Sequence, residues 1–129
     1  MKLMKLEIVT PNGVIFDDEI KQVTIPGSEG EFGVLADHAS LVSLLKAGVM
    51  VIETADSKEI SVAVNGGYVK VEEEKTLCVV DGAVALHAEG TDLAAKIEEA
   101  KTLLEKAQSS SQADITAAKS KVDGISKRF

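Results

Sequence analysis

Arginine is almost missing from this chain; Arg128 is its single example. Tryptophan is absent, and aromatic residues make up only 3% of the sequence. A nucleic-acid-binding surface needs Lys and Arg for phosphates and often aromatics for stacking. With a net charge of −7 besides, no nucleic-acid partner is expected. Cysteine is present once, as Cys78 within Leu77-Cys78-Val79-Val80. That excludes an intramolecular disulfide and reads as a buried, inert thiol in a strand. The two histidines, His38 and His87, stand far apart, and neither has a nucleophile arranged beside it by pattern. No catalytic residue, metal site or cofactor is expected. No apolar run approaches the roughly 18 residues of a membrane span. The lysines of the first six residues are not followed by a stretch of signal-peptide length. The chain is expected to be cytosolic, without direct membrane insertion, and to reach a membrane only through a partner.

What remains is a globular composition, 45% hydrophobic and 27% charged. Leu3 to Thr10 alternates as a strand, and Pro11-Asn12-Gly13 turns the chain. Val14 to Phe16 returns, Asp17-Asp18-Glu19 reads as a solvated bend, and Ile20 to Ile25 forms another strand. Further on, Lys46-Ala47-Gly48 breaks an apolar run. Asn65-Gly66-Gly67 reads as a hairpin turn between Glu59–Val64 and Tyr68–Val71. Segments Thr76–Val80 and Ala83–His87 close the series. The pattern predicts an all-β sandwich of about ten short strands.

The composition changes at Glu89-Gly90. Leu93, Ile97, Ala100, Leu104 and Ala107 form one helical stripe, and Ile115, Ala118, Val122, Ile125 and Phe129 a second. Thr91 or Asp92 can cap the first helix, and Ser111 with Asp114 resembles a capping box for the second. The prediction is a C-terminal antiparallel α-helical hairpin joined by a short serine loop. The domain boundaries are placed at 1–88 and 89–129. The stripes are narrow and rich in alanine, so the hairpin must lean on the β domain or on another protein.

The most informative stretch runs from Thr24 to Leu44. Gly27, Gly30 and Gly33 follow Pro26 at every third position, suiting a tight, irregular loop. Glu29 and Glu31 lie between the glycines, and Asp37-His38 follows the apolar run Phe32–Leu35. No Lys-Ser/Thr follows the last glycine, so this is not a phosphate loop. Taken alone, the stretch is either a hairpin with solvated acids or a partner-binding loop.

The words Pro26-Gly27-Ser28-Glu29-Gly30-Glu31-Phe32-Gly33-Val34-Leu35 with His38-Ala39 resemble the signature of the epsilon subunit of bacterial F-type ATP synthases. That subunit is called delta in mitochondria. Asn65-Gly66-Gly67-Tyr68 is a shorter match, and the β-then-helical plan is similar along the whole chain. The resemblance implies a non-catalytic rotor subunit of the central stalk, peripheral on the cytoplasmic face of the bacterial inner membrane. Its partners would be the gamma subunit and the c-ring, with Glu29, Glu31 and His38 as ring contacts. It also implies a hairpin that extends towards the catalytic beta subunits and restrains ATP hydrolysis, through Lys119, Lys121, Lys127 and Arg128. Two departures stand out. The family's Pro-Gly-His-Ala-Pro is Ala36-Asp37-His38-Ala39-Ser40 here. Of its nucleotide-binding Ile-Asp-x-x-Arg-Ala motif, Asp92 matches but Ala95 replaces the arginine, and Lys96 lacks a planar fork. The alternative left open is a free-standing β-sandwich adaptor that binds protein partners through its helical hairpin.

Overall fold

The computed structural model describes residues 2–86, 93–107 and 111–126. The side chains of Leu93, Ile125 and Ser126 lie outside that description, as does the expected boundary at 88/89. Seven strands are present among the described residues: β1 (Met4–Thr10), β2 (Gly13–Gly27), β3 (Gly30–Leu35), β4 (Leu41–Thr54), β5 (Glu59–Val71), β6 (Lys75–Val80) and β7 (Ala83–Leu86). Two helices follow, α1 (Leu93–Glu105) and α2 (Gln112–Ser126). The strands form one sheet in the order β1-β6-β5-β4-β2-β3, with β7 added to β5. β1 also pairs with β2, so β1, β6, β5, β4 and β2 close on themselves as a barrel. Closure removes the free edges of those five strands.

The expected ten short strands are thus corrected to seven, three of them long. Asp17-Asp18-Glu19 is not a bend; it stays in register opposite Glu7, Leu6 and Lys5, and Asp17 pairs with the Lys5 ammonium at 2.8 Å. Ala47 and Gly48 continue β4 opposite Asn65 and Val64. Asn65-Gly66-Gly67 is not a hairpin turn. On its outer flank β5 pairs with β7 as far as Val64↔Ala83 and with β6 from Gly67↔Val80. The glycines mark the corner where β5 changes neighbour. Gly67 has φ 137°, and a Cβ there would lie 2.1 Å from the Val79 carbonyl oxygen. Only glycine lets the two backbones meet so closely.

Two cores result. The barrel interior holds Met4, Leu6, Ile8, Ile20, Val23, Ile25, Met50, Ile52, Val62 and Cys78, all nearly or fully buried. A second core lies outside the barrel wall, where Ala47, Val49, Ala63, Val84 and Leu86 meet Ile97, Ala100 and Leu104 of α1 and Ile115, Ala118 and Val122 of α2. The described members of both predicted stripes supply this layer; the side chains of Leu93, Ile125 and Phe129 lie outside the described residues. Strands β4 and β5 are buried on both faces here, so their alternation fades into continuous apolar stretches. The helices run antiparallel, as the pairs Lys101–Asp123 (2.5 Å) and Glu105–Lys119 (2.6 Å) require. The Ser111 hydroxyl accepts from the Asp114 amide at 3.1 Å, the cap expected at the start of α2.

Candidate functional site

The glycine stretch folds as a regular antiparallel hairpin; a hairpin is one of the two readings left open by the sequence, and it is more regular than the irregular loop that the glycine spacing suggests. Ser28 and Glu29 form a two-residue turn between the paired Gly27 and Gly30, and Gly30 takes φ 131°. Two contacts fix its base. The Ser28 amide donates to the Leu44 carbonyl at 2.9 Å. Phe32, half-buried, packs on the barrel core and against Gly27, where a Cβ would lie 2.7 Å from its ring. Strand alternation then turns Glu31, Gly33 and Leu35 outward while Val34 is buried.

Asp37 and His38 lie at the other end of β3. Asp37 has φ 68°, its amide donates to the Glu73 carbonyl at 2.8 Å, and its carboxylate binds the Lys2 ammonium at 2.8 Å. That hydrogen bond holds the Lys2 amine above its ordinary range. The His38 Nδ1 lies 2.7 Å from the Ala39 carbonyl oxygen. Glu31 is the second residue of β3 and His38 lies in the turn beyond its end; the four strand steps from Glu31 to Leu35 span about 13 Å at 3.3 Å per residue. The three predicted ring-contact residues therefore form no shared chemical site. They can act together only against a broad surface.

The basic residues of α2 are occupied. Lys119 binds Glu105, holding that carboxyl below the usual range. Lys121 binds Glu31 at 2.6 Å. Asp114 near the start of α2 meets Lys46 of β4 at 3.3 Å, and the Ser111 hydroxyl followed by this lysine depress its carboxyl. Between the two barrel pairs lies a cleft of about 110 Å3, floored by Pro26, Gly48 and Val49 and walled by Ala117 and Ala118. Gly48 is required there, since a Cβ would stand 2.5 Å from the Pro26 ring. Asp92, Lys127, Arg128 and His87 lie outside the described residues. Cys78 is buried, and desolvation pushes its thiol up to about 12.

One surface was missed in the sequence because it depends on register. Leu44 pairs with Tyr68, Tyr68 with Val79, Val79 with Val9, and Val9 with Val14. Partners in register share a face. The result is an unbroken apolar row across five strands of the barrel exterior, flanked by Val42. Val42 is 70% exposed, Leu44 67%, Val14 57% and Tyr68 44%. Neither helix covers them. Among the described residues, no helix is long and apolar enough to cross a membrane.

Residues 3–86 match the family model described as the beta-sandwich domain of the ATP synthase delta/epsilon chain. Over the full length of both chains, this one is 69% identical to the ATP synthase epsilon chain of a Sulfurovum species. It is 49% identical to that of a Nitratiruptor species, over 98% of each chain. A chain of the Euglena gracilis mitochondrial ATP synthase superposes with a TM-score of 0.64 at 25% identity, covering 95% of this chain and 74% of that one. A chain from the central stalk and c-ring of the Tetrahymena thermophila mitochondrial enzyme shares the fold, with a TM-score of 0.53 at 16% identity and coverage of 98% and 96%. With the family model matching residues 3–86 and relatives 49–69% identical over nearly the whole chain, the chain belongs to the delta/epsilon family of ATP synthase subunits.

Proposed function

We infer that this chain is a non-catalytic central-stalk subunit of an F-type ATP synthase that couples the gamma subunit to the c-ring during ion-driven ATP synthesis. The observation that carries this reading is the apolar row Leu44-Tyr68-Val79-Val9-Val14, exposed at Leu44, Tyr68 and Val14 and half-buried at Val79 and Val9. A contiguous apolar strip of this kind on a rigid barrel is suited to a permanent protein partner. We assign it to gamma. Its Leu44 end abuts the hairpin turn through the Ser28–Leu44 hydrogen bond, and from there the row crosses the barrel to Val14, so one barrel can hold gamma along the row and touch the ring with the tip. Glu29 and Glu31 at the tip, and His38 at the far end of β3, are the proposed ring contacts. They suit basic polar loops, and each exposed pair contributes about 0–1 kcal/mol, so they position more than they hold.

The chain works as two units, 1–88 and 89–129, peripheral on the cytoplasmic face of a bacterial inner membrane. The second unit restrains ATP hydrolysis when it leaves the barrel. Lys119, Lys121, Lys127 and Arg128 are then its contacts with the catalytic beta subunits. The pairing of Lys121 with Glu31 supports this: it crosses from the hairpin to the barrel, so in the docked state Lys121 is not offered to another protein, whereas the Lys119–Glu105 pair lies within the hairpin and is independent of docking. The test is Tyr68→Glu with Leu44→Glu. Both residues are exposed, so the barrel folds, and co-purification with gamma should fall at least tenfold. Undiminished assembly would refute the assignment of the row. A second assay compares hydrolysis and proton pumping of the assembled enzyme with the whole chain and with a chain ending at Gly90. Faster hydrolysis with pumping still coupled is expected; no change would remove the inhibitory role.

A further inference from the structure

The seat of α2 on the barrel is marked at two points by ion pairs of opposite sense. Asp114 of the helix meets Lys46 of the barrel, and Lys121 of the helix meets Glu31 of the barrel. Asp114 and Lys121 are seven residues apart, so they share a helix face about 10 Å apart along the axis. Reversing α2, or sliding it until Lys121 faced Lys46, would set like charges against each other. The second of these points coincides with the hairpin tip. Glu31 opposes Pro26 near the end of β2, two residues past the turn, and its side chain is about half exposed while it holds Lys121. A cation approaching from outside can therefore reach the same carboxylate.

We propose that α2 and the c-ring compete for Glu31, so that seating on the ring and docking of the helical hairpin weaken each other through this one carboxylate. The proposal rests on the reading above that the tip faces the ring. Linkage makes the effect reciprocal: whatever Lys121 takes from ring affinity, the ring takes from hairpin docking. Because both partners are half exposed, the expected factor is about two- to fivefold. Lys46 and Asp114 lie at the other end of the cleft and keep their own pair, so ring seating loosens α2 at one point and does not release it.

The test is titration of the full chain into a purified gamma–c-ring subcomplex that contains no catalytic subunits. Lys121→Gln should bind two- to fivefold more tightly than wild type, and Glu31→Gln more weakly. In the Glu31→Gln background, Lys121→Gln should change nothing. Amide hydrogen exchange across 113–126 in the isolated chain gives the other half. Each single substitution should speed exchange by a similar factor, and the double no further. If wild type binds and Glu31→Gln weakens it but Lys121→Gln has no effect, competition is refuted and the ring contact stands. If Glu31→Gln does not alter binding, Glu31 is not a ring contact and the proposal falls. If wild type does not bind the subcomplex at all, the functional reading itself fails; the exchange data then report the ion pair alone.

Discussion

Leu104→Ala separates the two cores. Leu104 is fully buried, and the residues around it belong to the helix–barrel layer, not to the barrel interior. Truncating a buried leucine costs about 2–5 kcal/mol, through lost transfer energy and the cavity left behind. No exposed ion pair on α2 approaches that magnitude, at about 0–1 kcal/mol each. Among the described residues of the hairpin, the other large buried side chains are Ile97, Ile115 and Val122. At about 1.4 kcal/mol per tenfold, a loss in this range shifts hairpin docking some 30- to 3,000-fold. The barrel interior loses no atom. Amide hydrogen exchange should therefore accelerate by that factor across 94–105 and 112–124, while amides of Leu6, Ile8, Val69 and Cys78 keep their protection. Assembled into the enzyme, the variant should also change the rate of ATP hydrolysis, since the hairpin is released more often. Uniform acceleration over helices and barrel alike would refute the argument. It would mean that the two layers open as one cooperative unit.

Other outcomes follow from single residues. Gly67→Ala places a Cβ against the Val79 carbonyl at a positive φ, so the β5–β6 seam must spread; a thermal melt should fall by well over the 4–8 °C per kcal/mol of a small domain, and an unchanged melt would contradict the close approach. Asp114 has a depressed carboxyl pKa in the folded state. Its contribution is present above the unfolded carboxylate pKa and is lost as pH falls through the lower folded value. The exchange difference between wild type and Asp114→Asn should thus be full at neutral pH and vanish in acid below the ordinary carboxylate range. Cys78 should resist a thiol reagent in the native protein at pH 8 and label fully in denaturant, because burial keeps the thiolate from forming; rapid native labelling would show that the barrel opens. Ser111→Ala removes the α2 cap and should destabilise hairpin docking by about 1 kcal/mol, read by the same exchange experiment.

Local chemistry was legible in the sequence wherever it was decided locally. The helical stripes, the Ser111 cap, the buried Cys78 and the strand character of 4–10 and 75–80 all depend on neighbours within a few positions. Strand count failed for the opposite reason. Asp17-Asp18-Glu19 and Asn65-Gly66-Gly67 carry strong turn composition, yet each is held in a ladder by a neighbouring strand, whose paired residues lie beyond the few positions that local composition reads. Propensity is weak against such pairing. The glycines at 66 and 67 do need unusual backbone, as their composition suggests, but their purpose is a change of neighbour at a barrel corner. The apolar row was invisible for a related reason. Its members, at positions 9, 14, 44, 68 and 79, show no common period. Likewise the sequence offered Glu31 and Lys121 as contacts for two different partners, and only the fold brings them to one another.

Closure of the barrel depends on β1 and β6, the one parallel pair among the described residues, joining Lys5–Val9 to Lys75–Val79. Nearly the whole β domain lies between them in the chain, so this seam is among the contacts with the greatest loop-closure penalty and is expected to form late. The apolar row crosses that seam at Val9 and Val79. Until the ring of strands is shut, the row exists as two fragments on separate parts of the chain. A partner that reads the whole row therefore meets it only on a finished barrel. The geometry of closure thus acts as a check on which molecules of this subunit can join the stalk.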